Sequence, residues 1–258
     1  MSLARRFDQK GKVIILSETT DEPITFAGLA AGVCWNADTR DNEKNFKRGL
    51  SCFKSGHWRT LEFPQIYMIL DGWSAKCIRE LYTHIIDVTR LQASTRYIDY
   101  DNFDYVTPTA IKKNEDAKEI YTSFMANVNE TMRALKEQGI PKEDYSEVLP
   151  LSYSTKMIFR VGLRELVNIM EVRLCKRAYW EIRELCEEIL EALSIYSDEW
   201  DYLVNELKMF VPKCQRLHYC PEEKGCKREI DLETLLRYIE EGKARDKEKI
   251  SDKGEDQI

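Results

Sequence analysis

No apolar run in the 258 residues approaches the ~18 needed to span a bilayer, so no transmembrane helix is expected. The start, Met1-Ser2-Leu3-Ala4-Arg5-Arg6, passes straight into polar sequence, and no signal peptide is expected. Positive charge is not in excess: the formal net charge is −6. That argues against a general nucleic-acid binder and against a protein held on an anionic membrane surface, since both need clustered cations. It leaves open a small phosphorylated ligand, which needs only two or three local arginines. Internal repeats and Gly/Ser linkers are also missing, so one domain over residues 1–242 is expected, followed by a charged tail without structure over 243–258. Eight cysteines in a chain this long do not make a disulfide scaffold. Cys34, Cys52, Cys77, Cys175 and Cys186 sit in apolar contexts and read as thiols of a reducing, cytoplasmic compartment.

What is present is an ordinary globular mixture, 43% hydrophobic and 33% charged. Lys12 to Leu16 and Phe63 to Leu70 read as strands, the second punctuated by Asp71-Gly72. Thr25 to Cys34 and Phe46 to Ser55 read as helices, with Asn36 to Asn45 as a loop and Gly56 as a stop. Ser74 is placed to cap a helix running toward Thr83 to Val88. Ile120, Phe124, Val128 and Leu135 recur at helical spacing until Gly139 and Pro141. From Thr155 to about Ile195 the pattern reads as helical, with Gly162 as a candidate interruption. The charges from Glu181 to Glu191 read as a solvated helix face, and Tyr179 and Trp180 as core or interface aromatics. The whole is an α/β (α+β) chain.

Cys214, His218, Cys220 and Cys226 could in principle hold zinc. Their spacing, C-x3-H-x-C-x5-C, matches no common finger or ribbon, and H-x-C is too short for easy tetrahedral chelation. Unliganded thiols are the favoured reading, with no metal expected.

No motif is decisive alone, but an ordered set of segments is informative. Gly56-His57-Trp58-Arg59-Thr60-Leu61-Glu62-Phe63 is similar to Gly-His-x-Ser/Thr-x-x-Glu-His, and Asp71-Gly72-Trp73-Ser74-Ala75 to Gly-Val-Ser-Arg-Ala. Ser94-Thr95-Arg96-Tyr97 matches the end of a signature Arg-His-Arg-x7-Ser followed by x-Arg-Tyr. Residues 143–150 resemble Glu-Asp-Ala-Arg-x-Val-Leu-Pro. Leu163-Arg164-Glu165-Leu166, Asn168, Arg173 and the run from Ala178 to Arg183 complete the series. Over residues 12 to 195 the chain thus resembles the flavin-dependent thymidylate synthases.

The resemblance implies a central sheet flanked by long helices, assembled as a homotetramer with sites between subunits. It implies FAD, NADPH and 5,10-methylenetetrahydrofolate as cofactors and cosubstrate, and dUMP or a related pyrimidine nucleotide as substrate, made into dTMP by reductive methylation. It places Glu62, His84, Arg164 and Asn168 at the flavin, Ser94 and Arg96 at the nucleotide phosphate, and Arg173 at the pyrimidine as the catalytic cation. Arg164 and Asn168 are four apart and share a helical face, whereas Arg173 falls about half a turn from Arg164 at ~100° per residue. The chain departs from the family where the Arg-His-Arg triplet belongs. Two alignments differ by one residue there, and only His84 survives in either. Ser146 replaces a nucleotide-binding arginine, Gly162 a flavin-binding asparagine, Arg59 a small hydroxyl and Phe63 a histidine. Arg59, Arg79 and Arg90 are candidates to restore lost charge. Two other readings therefore stand beside thymidylate synthesis: C5 modification of a different pyrimidine nucleotide, and a non-catalytic paralogue acting as a binding or regulatory subunit.

Overall fold

The computed structural model describes residues 11–252, with side chains described to residue 242. Four strands form one antiparallel sheet: β1 (Lys12–Ile15), β2 (Gln65–Ser74), β3 (Val88–Gln92) and β4 (Ser154–Gly162), in the order β1-β2-β4-β3. Between β1 and β2 lie α1 (Pro23–Cys34) and α2 (Asn42–Lys54), then a tight 3₁₀ segment, Trp58–Glu62. α3 (Ala75–Leu81) follows β2 directly. α4 (Thr109–Lys112), α5 (Glu115–Glu137) and α6 (Lys142–Tyr145) separate β3 from β4. α7 (Leu163–Arg173), α8 (Trp180–Tyr196), α9 (Asp198–Asp201), α10 (Lys213–Leu217) and α11 (Leu232–Asp252) complete the described chain.

β2 and β4 carry the core. Their inward residues alternate with period two, Ile66, Met68 and Leu70 on one strand and Met157, Phe159 and Val161 on the other, all fully buried. This face packs against Leu166, Val167 and Ile169 of α7 and Ile182, Leu185 and Ile189 of α8. A second, mainly aromatic cluster (Tyr100, Phe103, Tyr105, Tyr145, Tyr153) seats α5 and the segment after β3 beside the sheet. α1 and α2 approach so closely that a Cβ on Gly28 would lie 1.8 Å from the Asn45 carbonyl oxygen, and one on Gly49 1.9 Å from that of Ile24.

Several expectations change. Ser154–Gly162 is a strand, not the start of a helix: polar Lys156 and Arg160 alternate with buried apolar neighbours, a period-two signal embedded beside true helical sequence. β2 continues through Asp71-Gly72, where a bulge with Gly72 at φ +84° absorbs the irregularity. α2 starts at Asn42 inside the expected loop, because Asp41 caps it by accepting from the Lys44 N–H at 3.1 Å. α5 buries Met125, Val128 and Met132, so Ile120 and Phe124 face outward. The charged run after Gly242 is helical as far as Asp252, within α11, so the expected boundary at 242 falls inside an element. Residues 253–258 of the expected tail lie outside the described residues, as do Met1 to Lys10.

Ser74 joins sheet to helix. Its hydroxyl accepts from the Cys77 N–H at 3.0 Å, capping α3 as expected, and donates to Glu181 Oε2 at 2.5 Å. Glu181 also accepts from the Ser74 N–H at 2.8 Å and is 2% exposed, so it is a buried clamp and not part of a solvated face. Burial pushes its carboxyl above the usual carboxylate range, and the Ser74 bonds oppose that shift. Glu181→Ala should lower the unfolding free energy by about 2–3 kcal/mol, because it orphans a buried donor. Urea denaturation reads this directly, and a loss no larger than that of an exposed glutamate would contradict the clamp.

Candidate active site

The antiparallel pairing throws α3 and α7 from opposite ends of the β2–β4 pair, and their far ends meet. Arg173, the last residue of α7, is held there. Its Nε donates to His84 Nε2 at 3.0 Å, Nη1 to Glu80 Oε2 at 2.8 Å, and Nη2 to the Glu80 carbonyl at 3.0 Å and Thr83 Oγ1 at 2.7 Å. A guanidinium has five N–H donors. Four are used within the chain, leaving one on Nη1, on a side chain only 14% exposed. Thr83 and Ile85 flank His84 in the chain. Thr83 serves as an acceptor for Arg173, and Ile85 is 74% exposed.

His84 is neutral in this setting. Burial is the main cause, with Arg173 and Arg90 adding to it, and its pKa falls from the usual 6.5 to about 4. Since Nε2 accepts from Arg173, the ring proton sits on Nδ1, which faces Glu165 Oε1 at 3.6 Å. Glu165 is 5% exposed, its carboxyl is pushed up by burial, and its other oxygen accepts from Asn168 Nδ2 at 3.1 Å. A chain of polar contacts therefore runs from Glu80 through Arg173, His84 and Glu165 to Asn168.

At the start of α7, Arg164 is ion-paired with Glu62, both side chains nearly half exposed, at 47% and 42%. Arg164 and Asn168 lie on one exposed face, as their spacing requires, and no side chain caps the helix N-terminus at Gly162. Arg173 points away from this face, as the half-turn offset implies. Arg160, beside them, is paired with Asp87 and donates to Gln65 Oε1 at 3.0 Å.

Ser94 and Arg96 stand elsewhere. The Ala93 N–H donates to the Lys156 carbonyl at 2.8 Å, which fixes this segment six residues along β4 from Gly162, or ~20 Å at 3.3 Å per residue. There Ser94 Oγ accepts from the Arg96 N–H at 3.2 Å, and Arg96 Nε donates to Glu143 at 2.9 Å, leaving its terminal nitrogens facing solvent. Within one chain, the expected site residues thus form two linked patches at α7 and a third at the far end of the sheet.

The other candidates resolve as follows. Arg90 caps the loop before β3, donating to the His84 carbonyl at 2.7 Å with its guanidinium over Tyr82, so its charge is directed at that loop. Arg59 and Arg79 are exposed. Ser146 is buried, and its hydroxyl donates to the Glu143 carbonyl at 3.0 Å. Among the described residues no three His, Cys, Asp or Glu side chains group as a metal site. Glu165 stood in the Leu163-Arg164-Glu165-Leu166 motif without a role of its own, whereas Glu80 was one acid among 45 and acquires meaning only through its partner.

The family model described as thymidylate synthase complementing protein (Thy1) matches residues 15–195. The chain belongs to this family. Relatives in the thymidylate synthase complementing protein family include the flavin-dependent thymidylate synthase of Nitratidesulfovibrio vulgaris, 34% identical over 230 residues, covering 79% of this chain and 88% of the relative. The enzyme of the same name from Pyrococcus furiosus is 33% identical over 186 residues, covering 70% and 74%. Among solved structures, thymidylate synthase X from Helicobacter pylori, crystallised with FAD and dUMP, superposes with a TM-score of 0.62 at 22% identity over 76% of this chain and 98% of that one. The UMP/dUMP methylase PolB from Streptomyces cacaoi, bound with 5-Br dUMP, gives 0.63 at 15% identity, over 76% and 95%. These two likenesses bear on the fold, and they agree with its mixed helix-and-sheet architecture.

The His84 arrangement has a pH signature. The folded state holds the imidazole neutral down to about 4, while the unfolded chain takes up a proton near 6.5. Stability supplied above 6.5 is therefore lost as pH falls toward 4. The melting-temperature advantage of the wild type over His84→Gln should shrink across that window and stay constant above it.

Proposed function

We propose that this protein is a flavin-dependent thymidylate synthase that reductively methylates dUMP to dTMP, assembled as a homotetramer. The observation that carries the reading is the coincidence of the 15–195 family match with an exposed Arg164–Asn168 face joined through Glu165 and His84 to Arg173. FAD, when bound, supplies hydride for the reduction, with NADPH as the electron source and 5,10-methylenetetrahydrofolate as the carbon donor.

The α7 face fits a flavin pyrophosphate. An exposed guanidinium, an exposed carboxamide and an uncapped helix N-terminus stand together there, with Glu62 fixing the arginine. Arg173 offers a permanent positive charge and a single free N–H toward the pyrimidine, held rigidly by four bonds, so little reorganisation is needed when charge develops on the ring. Ser94 and Arg96 suit a nucleotide phosphate: the serine hydroxyl proton and the terminal guanidinium nitrogens are available to it. Because they stand ~20 Å along β4 from Gly162, where α7 begins, a site shared with the Arg164–Asn168 face draws them from another copy of the chain.

A second reading is favoured by one feature. Glu80 is paired with Arg173, and no arginine stands beside His84 under either alignment of the triplet or at Ser146, which suits a pyrimidine nucleotide other than dUMP.

The purified protein should be yellow with bound FAD, should turn dUMP over to dTMP, and should support growth of a thymidine-requiring bacterium. A colourless protein that takes up no flavin refutes the proposal. Calorimetry with dUMP, UMP and dCMP decides between the two nucleotide readings. Arg164→Ala should weaken FAD binding by roughly 10–100-fold, the worth of one charge-assisted bond, with nucleotide affinity little changed. Arg96→Ala should do the reverse.

A further inference from the structure

Residues 218–231, between α10 and α11, hold no helix or strand beyond one isolated bridge from Cys220 to Asp231. None of their side chains is buried, and none joins either apolar cluster. Ordered stretches of this length without a core of their own are uncommon unless something else holds them. Within this one the cysteines turn inward. Cys220 and Cys226 are partly buried, while residues 221–225 and Lys227 are exposed.

Two ion pairs draw the stretch onto the end of α7. Arg216 Nε pairs with Glu171 Oε1 at 2.7 Å, and Arg177 pairs with Glu222. In the chain, Cys175 lies between Glu171 and Arg177, Cys214 just before Arg216, and Cys220 just before Glu222. The Cys220 N–H donates to the Ile230 carbonyl at 2.6 Å. A Cβ on Gly225 would stand 2.8 Å from the Cys220 sulfur, so the loop that carries Cys226 folds back over Cys220. Cys214 is 8% exposed. Burial pushes its thiol up, Arg228 opposes that shift, and Cys220 and Cys175 add to it, so both thiols belong to its surroundings.

We propose that Cys175, Cys214, Cys220 and Cys226 form a structural zinc site that staples the stretch before α11 to the end of α7. Four thiolates are one of the usual donor sets of a closed, tetrahedral zinc. The objection raised by the sequence concerned His218 and its short H-x-C chelate. His218 is exposed and ends α10 in the left-handed region at φ +58°, and Cys175, from a distant part of the chain, takes its place as fourth ligand. The remaining spacing, C-x5-C-x5-C, leaves each sulfur free to reach its own corner. Iron–sulfur centres typically draw on C-x2-C runs, and the sequence has none. Binding exchanges four thiol protons for one Zn²⁺ and needs no oxidant or reductant. Among the described residues no three of the four already group as a metal site, so the last step is a closing of the 220–226 loop, which no buried side chain resists. The ion anchors the chain two residues past Arg173, independently of what the active site binds.

The test uses the full-length protein, untagged and purified without chelator. Metal analysis by mass spectrometry should find about one zinc per chain. Cys175→Ser, Cys220→Ser and Cys226→Ser should each lose it on desalting, while Cys34→Ser keeps it. Cobalt taken up in place of zinc should show the strong visible absorption of a tetrahedral tetrathiolate ion. In the wild type, EDTA should open Lys224, Lys227 and Arg228 to trypsin, and added Zn²⁺ should protect them again, a readout that does not depend on any variant folding. Protein that carries no zinc as purified and retains none after incubation with Zn²⁺ would overturn the site. Iron with acid-labile sulfide in its place, or zinc that survives in Cys175→Ser, would overturn it equally.

Discussion

The hydrogen-bonded pairing of β2 with β4 is the constraint from which the rest of the molecule follows. Nine paired positions, from Gln65–Gly162 to Ser74–Ser154, fix the two strands antiparallel. Each strand then passes without a loop into a helix, β2 into α3 and β4 into α7. Antiparallel strands launch those helices from opposite ends, so they run toward each other beneath the sheet. The meeting point is where Arg173 finds Glu80, Thr83 and His84. A parallel pair would have needed a long crossover and would have sent both helices the same way.

At that meeting point the electrostatic balance differs from a simple cationic pocket. A largely buried guanidinium is costly unless its donors are satisfied. Here a carboxylate, a carbonyl, a hydroxyl and a neutral imidazole satisfy four of five. Each charge-assisted bond is worth roughly 1.5–3 kcal/mol, so the side chain is fixed more by its own protein than by any single ligand contact. Cations on the triplet would compete with Arg173 for Glu80, whereas Thr83 adds an acceptor and Ile85 adds no charge.

Much of this was legible in sequence and some was not. The ordered motifs located the family, and the spacing of Arg164, Asn168 and Arg173 correctly predicted two directions of projection from one helix. Ser74 as a cap and Gly139 as a helix stop were readable because their chemistry is local. β4 was not, since its period-two pattern spans only nine residues and lies against two helices whose signal dominates a longer window. The burial of Glu181 was invisible because an acid on a charged helix reads as solvated until its partner, 107 residues away, is known. The outward turn of Ile120 and Phe124 was likewise beyond periodicity, which gives a helix an apolar face without saying whether this chain covers it.

The bulge at Gly72 acts as a phase shifter in β2. Before it, alternate residues face out with Tyr67, Ile69 and Asp71. After it, Trp73 and Ser74 are both buried in succession, at 1% and 2% exposure, with the Trp73 indole donating to the Lys12 carbonyl at 3.2 Å. The extra residue is what turns Trp73 inward opposite Thr155, and Ser74 follows it at the strand end, where it meets Glu181 and starts α3. The length of the segment from Gln65 to Ser74 is thus under tighter constraint than its composition: substitutions within it are absorbed side chain by side chain, but losing one residue would reverse the facing of everything on one side of the gap.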